Sequence, residues 1–220
     1  MPKHVVKQGD HISSIAFSRG YQSWKPVWED PGNAALRQKR PNPNTLFPGD
    51  EVVVPEREQH TEDAATEQRH RFRLAFSPLL LRLRLLSAGG KALSTASVRL
   101  AMAGAEPLET RPDAKGMVET PIHPLTHAGY LTVEDDALPE VLQASLHVGS
   151  LDPADTPTGQ VARLNNLGYN AGPVEEPVTP AAQERFRSAV EEFQCDAGIK
   201  PIDGKCEGAT LTKLQEVYGC

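Results

Sequence analysis

The sequence lacks the features of membrane and nucleic-acid-binding proteins. No apolar run approaches the roughly eighteen residues that a transmembrane helix needs, so we expect no membrane insertion. The opening residues, MPKHVVKQGD, contain no apolar core region. We therefore expect no signal peptide and a chain that is cytoplasmic as synthesised. A formal net charge of -6 argues against a nucleic-acid partner, because such a protein needs a basic face to displace counterions.

Cysteine is also scarce, and all three cysteines lie near the C-terminus. Because their number is odd, Cys195, Cys206 and Cys220 can form at most one intramolecular pair. Two interpretations stay open, namely reduced thiols in the cytosol and one local disulfide formed after export. No CxxC motif or neighbouring histidine completes a zinc ligand set, so we expect no metal and no cofactor.

Motifs for catalysis are missing too. His123 and His127 lie in HPLTH, which lacks the glutamate of the HExxH zinc motif. Asp10 and Asp50 could be paired as glycosidase carboxylates, but that chemistry needs two opposed carboxyl groups about 5–9 Å apart in a cleft. We therefore expect a protein that is not an enzyme.

What the sequence does contain indicates several small domains. The chain is 24% charged and 39% hydrophobic, with 19 prolines and 17 glycines that favour many turns. Changes in composition divide it into an α/β segment, a polar linker, a β-rich segment and a helical segment. These segments span 1–56, 57–70, 71–151 and 152–220. The predicted fold class is α+β multidomain.

The first segment predicts two short strands around helices. Val5 and Val6 begin it, and Asp10 is a suitable N-cap for a helix that Gly20 ends. A second helical stretch over 24–36 is broken at Asp30-Pro31-Gly32, and a strand follows at 51–54. The predicted order is β-α-α-β.

This segment resembles a LysM domain. The resemblance is carried by Val6, Lys7, Gly9, Asp10, Ile12, Ile15 and Ala16, and later by Asn42-Pro43-Asn44, Leu46, Pro48-Gly49-Asp50 and Val54-Pro55. The resemblance implies a groove for N-acetylglucosamine-containing glycans. Its residues would be Gly9, Asp10, His11 and Ile12, facing Asn44, Thr45 and Leu46. Read from the residues alone, glycine and asparagine here also suit tight turns, and isoleucine suits a core.

Two further groups in this segment have alternative interpretations. Trp24 and Trp28 share a helix face, so they either stack on sugars or pack the core of a small domain. Arg37, Lys39 and Arg40 either face an anionic ligand or partner, or form a solvated basic surface.

The third segment predicts a small antiparallel sandwich. LLLRLRLL alternates leucine with Arg82 and Arg84 at period two, which is typical of a half-buried strand. Strands are predicted at 79–85, 97–102, 117–122, 129–133 and 142–148. GGKALSTASVRL and TRPDAKGMVETPI resemble a prealbumin-like or carboxypeptidase-regulatory-like β-sandwich, which implies a spacer or docking domain.

The last segment is helical. Val161, Leu164 and Leu167 lie on one face of the first predicted helix. Thr179-Pro180 is a helix start, and Thr210 is predicted to cap the last helix.

This segment resembles a peptidoglycan-binding type 1 domain. The resemblance is carried by Leu164, Leu167-Gly168-Tyr169, Gly172-Pro173-Val174, Thr179, Phe193-Gln194, Gly198-Ile199, Asp203-Gly204, Thr210 and Leu214. It implies a three-helix module whose candidate ligand contacts are Tyr169, Gly172, Asp203 and Gly204. Glu175-Glu176 replaces a common Asp-Gly of that family.

Two functional hypotheses follow from these resemblances. In the first, the chain is a non-catalytic protein that binds peptidoglycan glycan strands through both terminal modules. In the second, it resembles accessory proteins of type VI secretion or phage-tail-like injection systems, with a spike or effector protein as partner. Such a machine would deliver the chain to the periplasm or cell wall.

Overall fold

The computed structural model describes residues 2–57, 63, 66–71, 79–174 and 179–219. The chain divides into two compact units, Met1–Ser150 and Leu151–Cys220. Helices and antiparallel sheets both occur, so the α+β class is confirmed. Much of the predicted linker (58–62 and 64–65) and the start of the predicted β segment (72–78) lie outside the described residues. The four predicted boundaries stay predictions.

The N-terminal segment, residues 2–57, contains three α-helices and a 3-10 helix between two strands. Its elements are β1 (Lys3–Val5), α1 (Ile12–Ser18), α2 (Lys25–Trp28), a 3-10 helix (Pro31–Asn33), α3 (Ala34–Lys39) and β2 (Glu51–Val53). β1 and β2 pair antiparallel, with His4 opposite Val52. This pairing brings the two ends of the segment together.

One hydrophobic core holds the segment. It is built from Val6, Ile12, Ile15, Ala16, Val27, Trp28, Leu36, Leu46, Val52 and Val54, with Tyr21 and Trp24 packed against it. Trp28 is 8% exposed. The structure therefore places Trp28 in the core and Trp24 against it, as the packing interpretation of the pair expects.

The predicted N-cap of α1 is wrong by one residue. His11 occupies that position, and Ser14 Oγ accepts from the His11 N–H (3.1 Å) while donating to its carbonyl (2.8 Å). The Asp10 carboxylate instead accepts from the Lys7 N–H (2.9 Å) and contacts Nε2 of His4 (2.8 Å). A turn that ends at Asp10 directs this carboxylate back toward the preceding strand.

Among its described residues, the β segment contains two antiparallel sheets. Its strands are β3 (Leu79–Arg84), β4 (Ser97–Met102), β5 (Leu108–Thr110), β6 (Met117–Ile122), β7 (Ala128–Glu134) and β8 (Leu142–His147). β3 pairs with β6, and the other sheet has the order β5-β4-β7-β8. β5 was not predicted, because its three residues are mostly exposed and carry no apolar alternation.

Both sheets contribute to one hydrophobic cluster. Val118 of β6 belongs to it, together with Val98 of β4 and Val133 of β7, and Leu83 of β3 packs against it. The arginines that alternate with leucine along β3 point away from this cluster, and Arg82 pairs with exposed Glu119 at 2.6 Å. The period-two pattern thus separates a buried face from a solvated one.

The second unit is built from α4 (Pro157–Asn166), α5 (Pro180–Asp196) and α6 (Gly208–Tyr218). Thr156 and Thr179 cap α4 and α5 by accepting from Gly159 and Ala182 N–H groups. The core contains Leu164, Ala171, Ala189, Val190, Phe193, Cys206 and Leu214. Glu175-Glu176 lies outside the described residues.

Thr210 is not the cap of α6. Glu207 occupies that position, and Thr210 lies in the first turn, 4% exposed. Its hydroxyl accepts a hydrogen bond from Nε2 of Gln194 (3.0 Å). The side chain points into the unit because α6 packs this turn against α5, which a local capping pattern cannot indicate.

Candidate functional site

The two loops of the predicted N-terminal groove do lie side by side. The Ile12 N–H donates to the Pro43 carbonyl (3.4 Å), which joins the loop at 9–12 to the loop at 42–46. Most of the predicted contact residues are nevertheless buried, with Ile12 at 0% and Leu46 at 3% exposure. Asn44 is exposed. Glycan contact by these residues stays a prediction.

The loop at 42–46 is shaped by Asn42 rather than by the side chain of Asn44. Asn42 Oδ1 accepts from the Asn44 N–H (2.9 Å), and its carbonyl accepts from the Thr45 N–H (3.2 Å). This is the local hydrogen bonding that lets asparagine form turns. The side chain of Asn44 therefore does not hold the turn that carries it.

The loop at 9–12 is covered by part of the β segment in the same unit. The Phe17 ring meets the His123 ring edge-on, with centroids 4.8 Å apart. Gln8 Nε2 donates to the Ser150 carbonyl (3.2 Å). These contacts join residues more than a hundred positions apart, so no local periodicity could have predicted them.

His11 is the residue most affected by this cover. It is 2% exposed, and neither ring nitrogen has a hydrogen-bond partner among the described residues. Burial, and next the proximity of His127, lower the pKa of His11 to about 4, well below its ordinary 6.5. The ring is therefore neutral at physiological pH.

The three side chains of the basic cluster all have partners within the N-terminal segment. Arg37 Nη1 donates to the carbonyls of Trp28 and Asp30. Lys39 and Arg40 both pair with the carboxylate of buried Asp50, at 2.7 Å and 2.8 Å. The pairing with Asp50 gives Lys39 and Arg40 a partner within the segment, and contact of the cluster with an anionic ligand or partner stays a prediction.

Burial opposes the charge on Asp50, but hydrogen bonds from its neighbours outweigh that effect. Arg40, Lys39 and the Phe47 N–H donate to the carboxylate, and together they hold the pKa of Asp50 below its ordinary value. Asp50 is therefore ionised at neutral pH and ties the end of α3 to the turn before β2.

Asn33 is a structural residue that the sequence analysis missed. It is fully buried, and its Nδ2 donates to the carbonyls of Val27 (2.7 Å) and Val53 (2.8 Å). Its Oδ1 accepts from the Val53 N–H (2.8 Å). A single asparagine thus links β2 to the helical stretch. The one sequence signal near it is the Pro31-Gly32 pair, which is typical of turns and directly precedes Asn33.

In the second unit, one glutamine organises the loop that contains two candidate contacts. Gln194 of α5 is 1% exposed, and its Oε1 accepts from the N–H groups of Asp203 and Gly204, both at 3.0 Å. Its Nε2 donates to Oδ1 of Asp203 (2.9 Å). This hydrogen bond, and next the one from the Lys205 N–H, lower the pKa of Asp203.

The other two candidate contacts lie on a different side of α5. Tyr169 donates through its hydroxyl to Asp196 (3.0 Å), and a Cβ on Gly172 would lie 3.5 Å from Nε of Arg185. Gly204 instead approaches Arg187, whose Cγ would lie 2.5 Å from such a Cβ. At 100° per residue, positions 185 and 196 lie nearly opposite position 187.

The four candidate contacts therefore form two separate pairs, Tyr169 with Gly172 and Asp203 with Gly204. Burial, and next the hydrogen bond to Asp196, raise the pKa of Tyr169 to about 12. Its ring also meets Phe193 edge-on, with centroids 5.6 Å apart. The polar tip and the ring are both engaged, and ligand contact by either pair stays a prediction.

The described cysteines are both free thiols. Cys195 is exposed, whereas Cys206 is 5% exposed and belongs to the core of the second unit. Burial, and next the nearby Glu207, raise the pKa of Cys206 to about 11. Cys220, the third member of the predicted set, lies outside the described residues.

Among the described residues, no group of three or more histidine, cysteine, aspartate or glutamate side chains is placed to hold a metal ion. No helix there is long and apolar enough to cross a membrane. His123 of the HPLTH motif packs against Phe17.

Residues 161–214 match the family model described as "Putative peptidoglycan binding domain". The match begins in α4 and ends in α6, so it includes all of α5 and the loop that Gln194 holds. Comparison with curated proteins and with solved structures found no match for the chain. The family match supports peptidoglycan binding by the second unit and peptidoglycan as a partner.

Proposed function

We propose that this chain is a non-catalytic peptidoglycan-binding protein whose second unit makes the principal contact with the cell wall. The observation that carries the proposal is the family match over residues 161–214. The three-helix arrangement of that unit has its own core and capped helices, so it can present its loops as a fixed surface.

The N-terminal segment is proposed to be LysM-like. The proposal is supported by the pairing of β1 with β2 and by the helices between them, although the described order has three α-helices and a 3-10 helix where the resemblance implies two helices. A second wall-binding module on the same chain would raise avidity through effective concentration, provided that both modules reach glycan together. The β segment between them is proposed to be a prealbumin-like or carboxypeptidase-regulatory-like sandwich that acts as a spacer.

Retention of the full chain by insoluble, purified sacculi tests the main proposal. We expect retention that soluble peptidoglycan fragments compete away. Tyr169→Phe keeps the ring against Phe193 but removes the hydroxyl, and we expect it to weaken retention if this pair of contacts binds glycan. Tyr130→Phe is the matched control, because Tyr130 lies in the first unit and is 67% exposed. No retention of the wild-type chain would contradict the proposal.

A second candidate function is an accessory role in a contractile injection machine, with a spike or effector protein as partner. Burial of His11, Ile12, Thr45 and Leu46 favours it, because a groove whose residues are buried offers little surface to glycan. Co-purification of one specific protein from cells, without retention by sacculi, would support this role. In that setting, delivery by the machine would bring the chain to the periplasm or wall.

A further inference from the structure

We propose that His11 is an acid-sensitive latch: when its ring gains a proton, the N-terminal segment separates from the loop between β6 and β7, and residues 9–12 become accessible. The latch is the contact surface formed by residues 8–17 against 123–127 and 149–150. The proposal concerns the conformation of the first unit, and it does not depend on glycan binding.

The latch surface is packed too closely for a solvated cation. A Cβ on Gly149 would lie 2.4 Å from the Gly9 carbonyl oxygen and 3.0 Å from Cδ2 of His11. A Cβ on Gly9 would lie 4.0 Å from Nδ1 of His127. Backbone from the end of the β segment therefore lies directly against the histidine loop, with no side chain between them.

His11 carries an unmet hydrogen-bonding demand inside this surface. Buried polar atoms in folded proteins nearly always have a partner, yet neither ring nitrogen makes a well-formed hydrogen bond among the described residues, although the Pro124 carbonyl lies close enough to favour a proton on the ring. A neutral ring tolerates that position better than a cation, because an unpaired buried charge is strongly disfavoured. Exposure to water would satisfy both nitrogens at once.

The groups that face the ring include some that lower the pKa of His11 and some that raise it. His127 on the β6–β7 loop disfavours a proton on His11, whereas Asp10 and the Pro124 carbonyl favour it. Asp10 is itself engaged by His4 and by the Lys7 N–H. His11 is also the N-cap of α1, where the helix dipole disfavours positive charge. The effect of burial exceeds the opposing effects of Asp10 and Pro124, so the pKa of His11 is lowered.

The pH range over which the latch opens follows from the linkage between proton binding by His11 and opening. The docked ring has a pKa of about 4 and an exposed ring one of 6.5, so docking is complete above 6.5 and weakens as the pH falls from 6.5 to 4. Between pH 7 and pH 5 the opening equilibrium should rise about 20-fold, and the limit at lower pH is about 300-fold.

Amide hydrogen exchange of the full chain at pH 7 and pH 5, corrected for the intrinsic pH dependence, tests the latch. We expect protection over residues 12–17 to fall about 20-fold in the wild type and less than about 2-fold in His11→Leu, which has no titrating ring. His147→Gln, which removes an exposed histidine of β8, should behave as the wild type. Unchanged wild-type protection, or an equal loss in His11→Leu, would overturn the proposal.

Two further measurements apply if His11→Leu does not fold. Gly149→Val places a side chain in the latch, so residues 12–17 should already lose protection at pH 7; retained protection would overturn the latch. The wild-type His11 ring should titrate near pH 4 by nuclear magnetic resonance. A midpoint near 6.5 would show an accessible ring and would also overturn it.

Discussion

Gln194 and Asp203 are joined by two hydrogen bonds that run in opposite directions. Nε2 of Gln194 donates to Oδ1 of Asp203 (2.9 Å), and Oε1 of Gln194 accepts from the Asp203 N–H (3.0 Å). The glutamine also reaches Gly204 and Thr210, so one buried side chain of α5 fixes the following loop and the first turn of α6. This loop lies within the part of the chain that matches the peptidoglycan-binding family.

Replacing Gln194 by alanine should destabilise the second unit by about 2–4 kcal/mol, because several buried or half-buried groups lose their partner together. Chemical denaturation of the full chain measures the change. Gln215→Ala is the matched control, since Gln215 is exposed on α6, and it should change stability by less than about 0.5 kcal/mol. Equal effects of the two substitutions would contradict the role given to Gln194.

Asp50→Asn should cost the first unit about 3 kcal/mol, because it removes the buried carboxylate charge with which Lys39 and buried Arg40 pair. Glu51→Gln is the control: Glu51 pairs with Lys3 at 2.7 Å, but both side chains are more than half exposed, so the loss should be under about 1 kcal/mol. Thermal unfolding of the two variants distinguishes these cases.

The stability that Asp50 provides should also depend on pH. Its folded pKa is lowered, so the contribution is present above the unfolded value of 3.8 and is lost as the pH falls through the lower folded value. The difference in stability between the wild type and Asp50→Asn should therefore shrink below about pH 4. A difference that stays constant down to pH 2 would contradict the ion pairs.

Tyr169 should ionise with a midpoint at about pH 12, because burial and the hydrogen bond to Asp196 raise its pKa. The folded state holds this proton more tightly than the unfolded state, so the second unit should lose stability as the pH rises from 10 toward 12. Ultraviolet titration follows the tyrosinate. Tyr169→Phe should remove the phase near pH 12, and an unchanged titration would contradict the assignment.

Cys195 should react quickly with a thiol reagent at pH 8, whereas Cys206 should react only after unfolding, because its thiol is buried and its pKa is raised to about 11. Colorimetric thiol counting on chains that retain one cysteine each measures both rates. Added denaturant should bring the two rates together. Fast reaction of Cys206 in the folded chain would contradict its place in the core.

Much of the secondary structure follows from short-range patterns. Leucine alternation predicted β3, and Thr179-Pro180 predicted the start of α5, because both signals lie within a few residues of the element that they specify. The two N-cap errors, at Asp10 and Thr210, have a common cause. Each side chain hydrogen-bonds a group other than the helix amides that it was expected to cap, Asp10 with Lys7 and His4 and Thr210 with Gln194.

The candidate sites were less predictable than the helices and strands. The sequence identified the loops at 9–12 and 42–46 but could not show that most of their side chains would be buried. Neither the buried role of Asn33 nor that of Gln194 could be predicted, since a polar side chain in a core carries no apolar periodicity. Likewise, the sequence allowed the basic cluster to be interpreted as a site for an anionic ligand. It did not show that Asp50, which lies ten residues beyond Arg40 in the chain, pairs with that arginine.

The amino-acid sequence by itself determined the α+β class, the approximate positions of most elements and the family-like pattern of the C-terminal helices, since these depend on periodicity, caps and turns within short windows. Only the tertiary structure decided that Lys39 and Arg40 converge on Asp50, that Gln194 holds the Asp203 loop, and that His11 lies buried beneath the β6–β7 loop. Those outcomes depend on long-range packing, because burial is set by whichever distant residues cover a side chain.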